Sequence, residues 1–196
     1  LVWISDATFP IVTKLRCGAG SNNVRLLKTR SKAKRYINKA FGKGIRPHNA
    51  IRELKDSILQ YKMSKIAFKK VVKSVIHIIY PFQLEKSKDR EMGYVYFQKF
   101  IPGCKSDIRI KVVGERIWAL TRNVRKNDFR ASGSGKLVFD QHLIPEKALK
   151  LSLEIVRKLK CQSIAIDLLP FNGDFLITEI SYAFGLDPEE LEAGYW

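Results

Sequence analysis

The sequence predicts an α+β fold, helices laid against largely antiparallel sheet, and three observations carry that reading. Hydrophobic residues recur at helical spacing through much of the first half. From Tyr94 onward the period changes to that of strands, and a single helical stretch, 145–160, interrupts this later series. Strands and helices do not alternate regularly, as a parallel sheet would require. With 196 residues, 45% of them hydrophobic, the chain can bury a core as one domain or two small ones.

Taken in order, 9–14 reads as a short β-rich run ending in Lys14, 17–23 (CGAGSNN) as a glycine-rich turn, and 24–27 as the returning strand of a hairpin. Residues 31–41 read as a helix begun by Ser31 and stopped by Gly42, and 49–63 as a second, capped by Asn49. A third, 66–80, places Phe68, Val71, Val72, Val75, Ile76 and Ile79 at helical spacing, with Lys65, Lys69, Lys70 and Lys73 mostly opposite, and ends at Pro81. The pattern is shared by membrane-surface helices and core-packed helices, and cover for a sheet is the expectation, because a domain of this size needs apolar cover. The strands that follow are 94–101, 107–113, 116–122, 162–168 and 175–180, with Gly114-Glu115 as a hairpin turn.

The net charge of +17 is unevenly spread. Segment 25–88 holds 18 Lys or Arg against Glu53, Asp56 and Glu85, while the remainder is nearly neutral. Its partner would be an anionic membrane surface, an acidic glycan, nucleic acid or an acidic protein, or the charge simply keeps a helical face wet. No recognition motif accompanies it, which excludes sequence-specific nucleic-acid binding from the expectation. Cys17, Cys104 and Cys161 are far apart and odd in number, so a reducing, cytoplasmic setting is expected, membrane-peripheral if the basic segment meets lipid. His48, His77 and His142 lack zinc-ligand spacing. The longest apolar stretch, 71–80, is broken by Lys73 and His77 and is too short to span a bilayer. The opening, LVWISD, is no signal peptide and reads as part of something longer.

The chemistry-bearing residues lie at the two ends of the chain and between them. In SIAIDLLPFNGDFLITEIS, Asp167 and Glu179 lie symmetrically about Gly173. A hairpin loop of odd length would set them opposite one another on one face, with Ser181, whereas a strict two-residue Asn172-Gly173 turn would put them on opposite faces. Opposed acids repel unless a positive charge sits between them, and Mg²⁺, a hard cation satisfied by carboxylates, water and phosphate, is the natural candidate. Lys14 and the glycine-rich tip offer what a phosphate chain needs: a point charge, and backbone N–H groups unobstructed by Cβ. The tip is not a P-loop, since G-K-[ST] is missing and a strand follows. The stretch NDFRASGSGK, 127–136, sets Arg130 before a Gly/Ser run and raises the choice between a linker and an anion-holding loop.

In chain order these pieces, PIVTK at 10–14, the glycine tip, YFQKFIPG at 96–103, DIR at 107–109, DFRAS at 128–132, AID at 165–167 and EIS at 179–181, resemble the ATP-grasp fold, nearest its ribosomal-protein glutamate ligase branch. The resemblance implies two α+β subdomains that clamp a nucleotide, here 1–93 with the glycine-rich hairpin and a basic helical insertion, and 94–196 with the adenine hinge and metal site. It implies Lys14 on the α- and β-phosphates, with Gly18, Gly20 and Ser21 in the tip that closes over them. It implies Gln98, Lys99, Phe100 and Ile101 as the adenine hinge and Asp107 on the ribose hydroxyls. Arg130, with Ser132 beside it, would face the phosphates or an acyl phosphate. Asp167, Glu179 and Ser181 would hold Mg²⁺ or Mn²⁺, and Arg109 and Arg122 would meet transition-state charge or the substrate carboxylate. Ser132 and Ser181 stand where the family usually has Asn, and Lys99 where it usually has Glu. The family's substrate-side domain, and a further phosphate-binding lysine that it carries in the region before Phe9, are not found in this chain. The implied reaction is ATP-dependent joining of a carboxylate to an amine through an acyl phosphate. The alternatives are an ATP-grasp kinase for a polyanionic small molecule and a non-catalytic polyanion- or membrane-binding module.

Overall fold

A computed structural model describes residues 2–16, 21, 23–46, 54, 57–58, 61, 68–79, 90–125, 128–134, 136–186 and 188–196. The chain forms two compact units, Leu1–Phe100 and Ile101–Trp196.

In the first unit β1 (Ile11–Lys14) lies between β2 (Arg25–Leu27) and β3 (Tyr96–Lys99), both antiparallel to it. Alternation along β1 turns Ile11 and Thr13 to one face of this sheet and Val12 and Lys14 to the other. The Ile11 face packs on α2 (Arg30–Phe41), whose Ala33, Tyr36 and Ala40 join Ile4 of α1 (Trp3–Asp6), Leu27 and Ile45 in one core. Two alanines in this set let the helix approach the strands closely. Thr29, not Ser31, caps α2: its side chain accepts from the Lys32 N–H at 3.3 Å. Gly42 stops it as expected, since its N–H donates to the Asn38 carbonyl and a Cβ there would stand 2.9 Å from that oxygen.

Because β3 hydrogen-bonds to β1, the strand expected to open the second subdomain completes the first sheet instead, and the first unit runs past residue 93 to Phe100. The expected helix at 49–63 lies outside the described residues except Leu54, Ser57, Ile58 and Tyr61. In α3 (Phe68–Ile79) the expectation of a sheet-covering apolar side is corrected. The helix buries Val71 and Ser74, whose hydroxyl lies 2.9 Å from that of Ser57. Phe68, Val72, Val75 and Ile76 remain 61%, 40%, 41% and 50% exposed.

The second unit is a five-stranded antiparallel sheet in the order β6-β5-β4-β7-β8. Its strands are β4 (Ser106–Val113), β5 (Arg116–Asn123), β6 (Leu137–Val138), β7 (Ser163–Phe171) and β8 (Asp174–Ser181). Ile108, Ile110, Val112, Ile117, Ile164, Ile166 and Leu168 project from one face and pack on Ala148, Leu149 and Ile155 of α4 (Glu146–Leu159). The opposite face carries Asp107, Arg109 and Lys111 on β4, Arg122 on β5 and Asp167 on β7. Charged residues at every second position of a central strand thus divide the sheet into an apolar and a polar face. A short helix, α5 (Pro188–Ala193), covers part of the polar face, with Glu190 Oε2 accepting from Lys111 Nζ. Backbone bonds between Ile117 and Trp196 tie the following residues to β5. Elements of two to six residues, α1, β6, α5 and a 3₁₀ turn at Gln141–Leu143, are too short for periodicity to reveal.

The side chain of Ile166 lies fully buried at the middle of the second core. Ile166→Ala should cost about 2–5 kcal/mol in urea unfolding, and Ile177→Ala, on the exposed edge strand, well under 1 kcal/mol. Equal losses at the two positions would contradict this placement of the core.

Candidate functional site

The polar face of the second unit begins with a register problem. The β7–β8 hairpin closes on a two-residue turn, Asn172-Gly173, with φ of 51° and 76°, a conformation Asn and Gly adopt at low cost. That turn pairs Phe171 with Asp174 and carries strict pairing through Leu168 and Ile177. Continued without change, it would set Thr178 opposite Asp167 and turn Glu179 to the apolar face. A β-bulge between Leu168 and Asp167 takes up one extra residue of β8, so that Asp167 pairs with Glu179 and Ala165 with Ser181. The Thr178 hydroxyl donates to the Asp167 carbonyl at 3.1 Å, holding the bulge to the partner strand. The turn is thus the two-residue one, and the expectation that it would part the acids is corrected by the bulge, which brings them opposite one another.

Asp167 is buried, and two guanidinium groups hold its carboxylate. Arg109 Nε donates to Oδ1 at 2.8 Å, and Arg122 Nη2 stands 2.8 Å from Oδ2. Arg122 also donates to both oxygens of Asp107, at 2.7 and 2.8 Å. These four residues sit on three adjacent strands in register, Arg109 opposite Asp167 and Arg122 opposite Asp107. Burial pushes the Asp107 carboxyl above its ordinary range, against the hydrogen bond and charge of Arg122. Burial disfavours the charge on Arg122, but its bonds to Asp107 and the Asp167 charge outweigh this and raise its pKa, so it stays a cation. The quartet is neutral, and Glu179, exposed beside it, adds one negative charge.

This donor set fits Mg²⁺. It consists of hard oxygens: two carboxylates in register, with the Ser181 hydroxyl 3.4 Å from Glu179 Oε1. A carboxylate offers about four lone-pair positions, so Asp167 can bear both arginines and still bind an ion. No cluster of three or more His, Cys, Asp or Glu side chains suited to a metal occurs among the described residues. Part of an ion's shell would then have to come from water or a ligand, as is usual for Mg²⁺. Ser181 comes beside Glu179 as expected. Asp107, implied for ribose hydroxyls, instead commits both oxygens to Arg122, and Arg122, implied for a substrate, lies buried between two carboxylates. Arg109 is the more open of the pair, its side chain 26% exposed.

The Arg130 loop closes on itself. Asp128 Oδ1 accepts from the backbone N–H groups of Phe129 and Arg130, and the Arg130 Nε lies 3.1 and 3.0 Å from the two Asp128 oxygens. Arg125 adds a side-chain bond to the Gly133 carbonyl. A linker would have no need of these bonds. Ser132 is half-buried in the turn. Burial works to raise the Asp128 carboxyl, and the Arg130 side chain with the two backbone N–H groups outweighs it, so the carboxyl sits below the usual range.

On the first unit, Lys14 ends β1 opposite Tyr96, on the face away from α2 that also carries Val12 and Gln98. Gln98 Nε2 donates to the Tyr96 hydroxyl at 3.1 Å. Gln98 and Lys99 end β3, Phe100 closes the first unit and Ile101 opens the second. Ser21 has a φ of 60° and its carbonyl accepts from Val24, the bond of a tight turn. Gly18 and Gly20 lie outside the described residues. Sequence reasoning missed two positions. Asp128 was legible, because an Asp two residues before an Arg can take its backbone N–H, whereas nothing in the sequence marks Thr178 as the bulged residue.

A family model described as a RimK-like ATP-grasp domain matches residues 82–194. Among solved structures, the chain is similar to the biotin carboxylase domain of 2-oxoglutarate carboxylase from Hydrogenobacter thermophilus, at 12% identity and a TM-score of 0.53, over 95% of this chain and 33% of that one. It is similar also to the D-alanine–D-alanine ligase of Bacillus anthracis, at 15% identity and a TM-score of 0.52, over 98% of this chain and 51% of that one. At these identities the likeness concerns the fold, and the chain spans a third of the one protein's length and about half of the other's. No curated protein matches the sequence.

The Asp128–Arg130 pair gives a pH expectation. A carboxyl whose folded pKa is lowered contributes stability above its unfolded value, about 3.9, and loses it as pH falls through the folded value. A carboxyl ¹³C titration should place the Asp128 midpoint below about 3.9. A midpoint above that value would mean that Arg130 does not hold it.

Proposed function

The chain belongs to the RimK-like ATP-grasp domain family, and from that premise we propose that it forms the nucleotide- and metal-handling part of an ATP- and Mg²⁺-dependent carboxylate–amine ligase. The observation that carries the reading is the opposed pair Asp167 and Glu179, aligned by a bulge, with Asp167 supported by Arg109 and Arg122. A purely structural ion pair would need neither the bulge nor the second acid. The similar biotin carboxylase domain was solved with MgADP and bicarbonate, a nucleotide and a carboxylate-like anion, which supports the same assignment here.

In the proposed reaction a substrate carboxylate oxygen attacks the γ-phosphorus of ATP, the bond to the β-phosphate oxygen breaks and ADP leaves. The amine then attacks the acyl carbon, phosphate departs, and the nitrogen gives up a proton as the amide forms. Lys14 supplies a fixed charge to the phosphates, and the hinge from Gln98 to Ile101 reads adenine through its backbone. Arg109, the more exposed of the two arginines on Asp167, meets the carboxylate or its phosphorylated form, and Arg122 remains below as a fixed cation anchored by Asp107. Arg130, pre-set by Asp128 within its loop, presents charge to the transferring group. Mg²⁺ held by Asp167 and Glu179, with Ser181 beside them, would neutralise phosphate charge, and Mn²⁺ suits the same oxygens. The concentration of Lys and Arg at 25–88 favours one other reading, a kinase for a polyanionic acceptor.

The test is ADP release from MgATP against pooled amino acids, peptides and uronic acids. A ligase should release ADP and phosphate only when both a carboxylate and an amine are present. Asp167→Asn should lower turnover roughly 100-fold or more with the circular dichroism unchanged. Unchanged turnover in that variant would overturn the assignment, and ADP release with a stable phosphorylated acceptor would select the kinase.

A further inference from the structure

Helix α3 is apolar along the wrong side for a core helix. At about 100° per residue, Phe68, Val72, Val75 and Ile76 form one contiguous stripe, and all four are exposed. The helix anchors itself through the adjoining line of Val71 and Ser74. Lys69 and Lys73, both exposed, run along the border of the stripe next to Ile76 and Val72. Four exposed apolar side chains on three turns are more than a scattering of surface hydrophobics and mark a surface built to be covered.

Charge decides what covers it. A second copy laid on this stripe would bring Lys69 and Lys73 against their own counterparts, within a segment that carries 18 Lys or Arg against three acids. α2 also carries exposed Lys32, Lys34, Arg35 and Lys39, so the first unit as a whole is positive. An apolar stripe edged by lysines matches the boundary of an anionic bilayer, where apolar side chains enter the acyl region and lysine stems reach back to the headgroups. Among the described residues no helix is long and apolar enough to cross a membrane, so the helix would lie in the plane of the interface. We propose that α3 docks this protein on an anionic lipid surface by inserting Phe68, Val72, Val75 and Ile76. This surface is independent of the ligase reading, since none of its residues belongs to the polar face of the second unit.

Co-sedimentation of the full chain with phosphatidylcholine vesicles, with and without phosphatidylglycerol, tests it. Binding should require phosphatidylglycerol, weaken with salt and persist in part at high salt, where screened charge alone would release it. The double variant Val72→Asp and Ile76→Asp should bind about tenfold or more weakly, with its circular dichroism unchanged. A second variant, Val72→Trp, reads insertion as a blue shift on adding the same vesicles that exceeds any shift of the unaltered chain, whose three tryptophans also emit. Absence of binding at low salt would overturn the proposal, as would a double variant that binds like the original or a Val72→Trp emission that shifts no further than that of the unaltered chain. A concentration-dependent dimer abolished by the double variant, without vesicle binding, would assign the stripe to a second copy instead.

Discussion

Arg122 is the charge on which the polar face of the second unit depends. Buried beneath it, the guanidinium binds both oxygens of Asp107 and reaches Asp167, joining three neighbouring strands through side chains as well as through the backbone ladder. A carboxylate as enclosed as Asp167 is costly to bury without partners, and Arg109 and Arg122 supply them. Such a pair need not add to folding stability, because taking the charges out of water offsets much of their attraction. Its service is positional: it fixes where a buried negative charge stands on the sheet, and the exposed Glu179 then completes an ionic site next to it.

Much of this was legible in the sequence, for reasons that can be named. Long strands with β-branched residues at alternate positions, such as IRIKVV and SIAID, announce both their conformation and their two faces, and the charged residues between the isoleucines mark the polar one. The helices at Arg30–Phe41 and Glu146–Leu159 came within a residue or two of their expected ends. Thr29 displaced Ser31 as the cap because either hydroxyl is a competent acceptor and only the backbone path selects between them. The membership of β3 was not legible. A strand's period gives its faces and not its partners, so the pairing of Tyr96–Lys99 with β1 could not be read from either segment.

The two places where local reasoning stopped are both places where an apolar or acidic residue is turned the unexpected way. In β8 an extra residue reverses the alternation, which no propensity scale records, since a bulge belongs to the pairing of two strands rather than to one. In α3 an apolar stripe of Phe68, Val72, Val75 and Ile76 is exposed, while Val71 and Ser74 beside it are buried. Periodicity finds an amphipathic helix and leaves open what its apolar side meets.

The central claim, that Asp167 and Glu179 act as one oxygen site for a metal-bound nucleotide, is tested most directly by calorimetric titration of ATP with and without Mg²⁺, in the unaltered chain and in Glu179→Gln. The account predicts that Mg²⁺ strengthens ATP binding in the unaltered chain and that this gain disappears in Glu179→Gln, while affinity without the metal stays the same. An undiminished gain from Mg²⁺ in Glu179→Gln would contradict it.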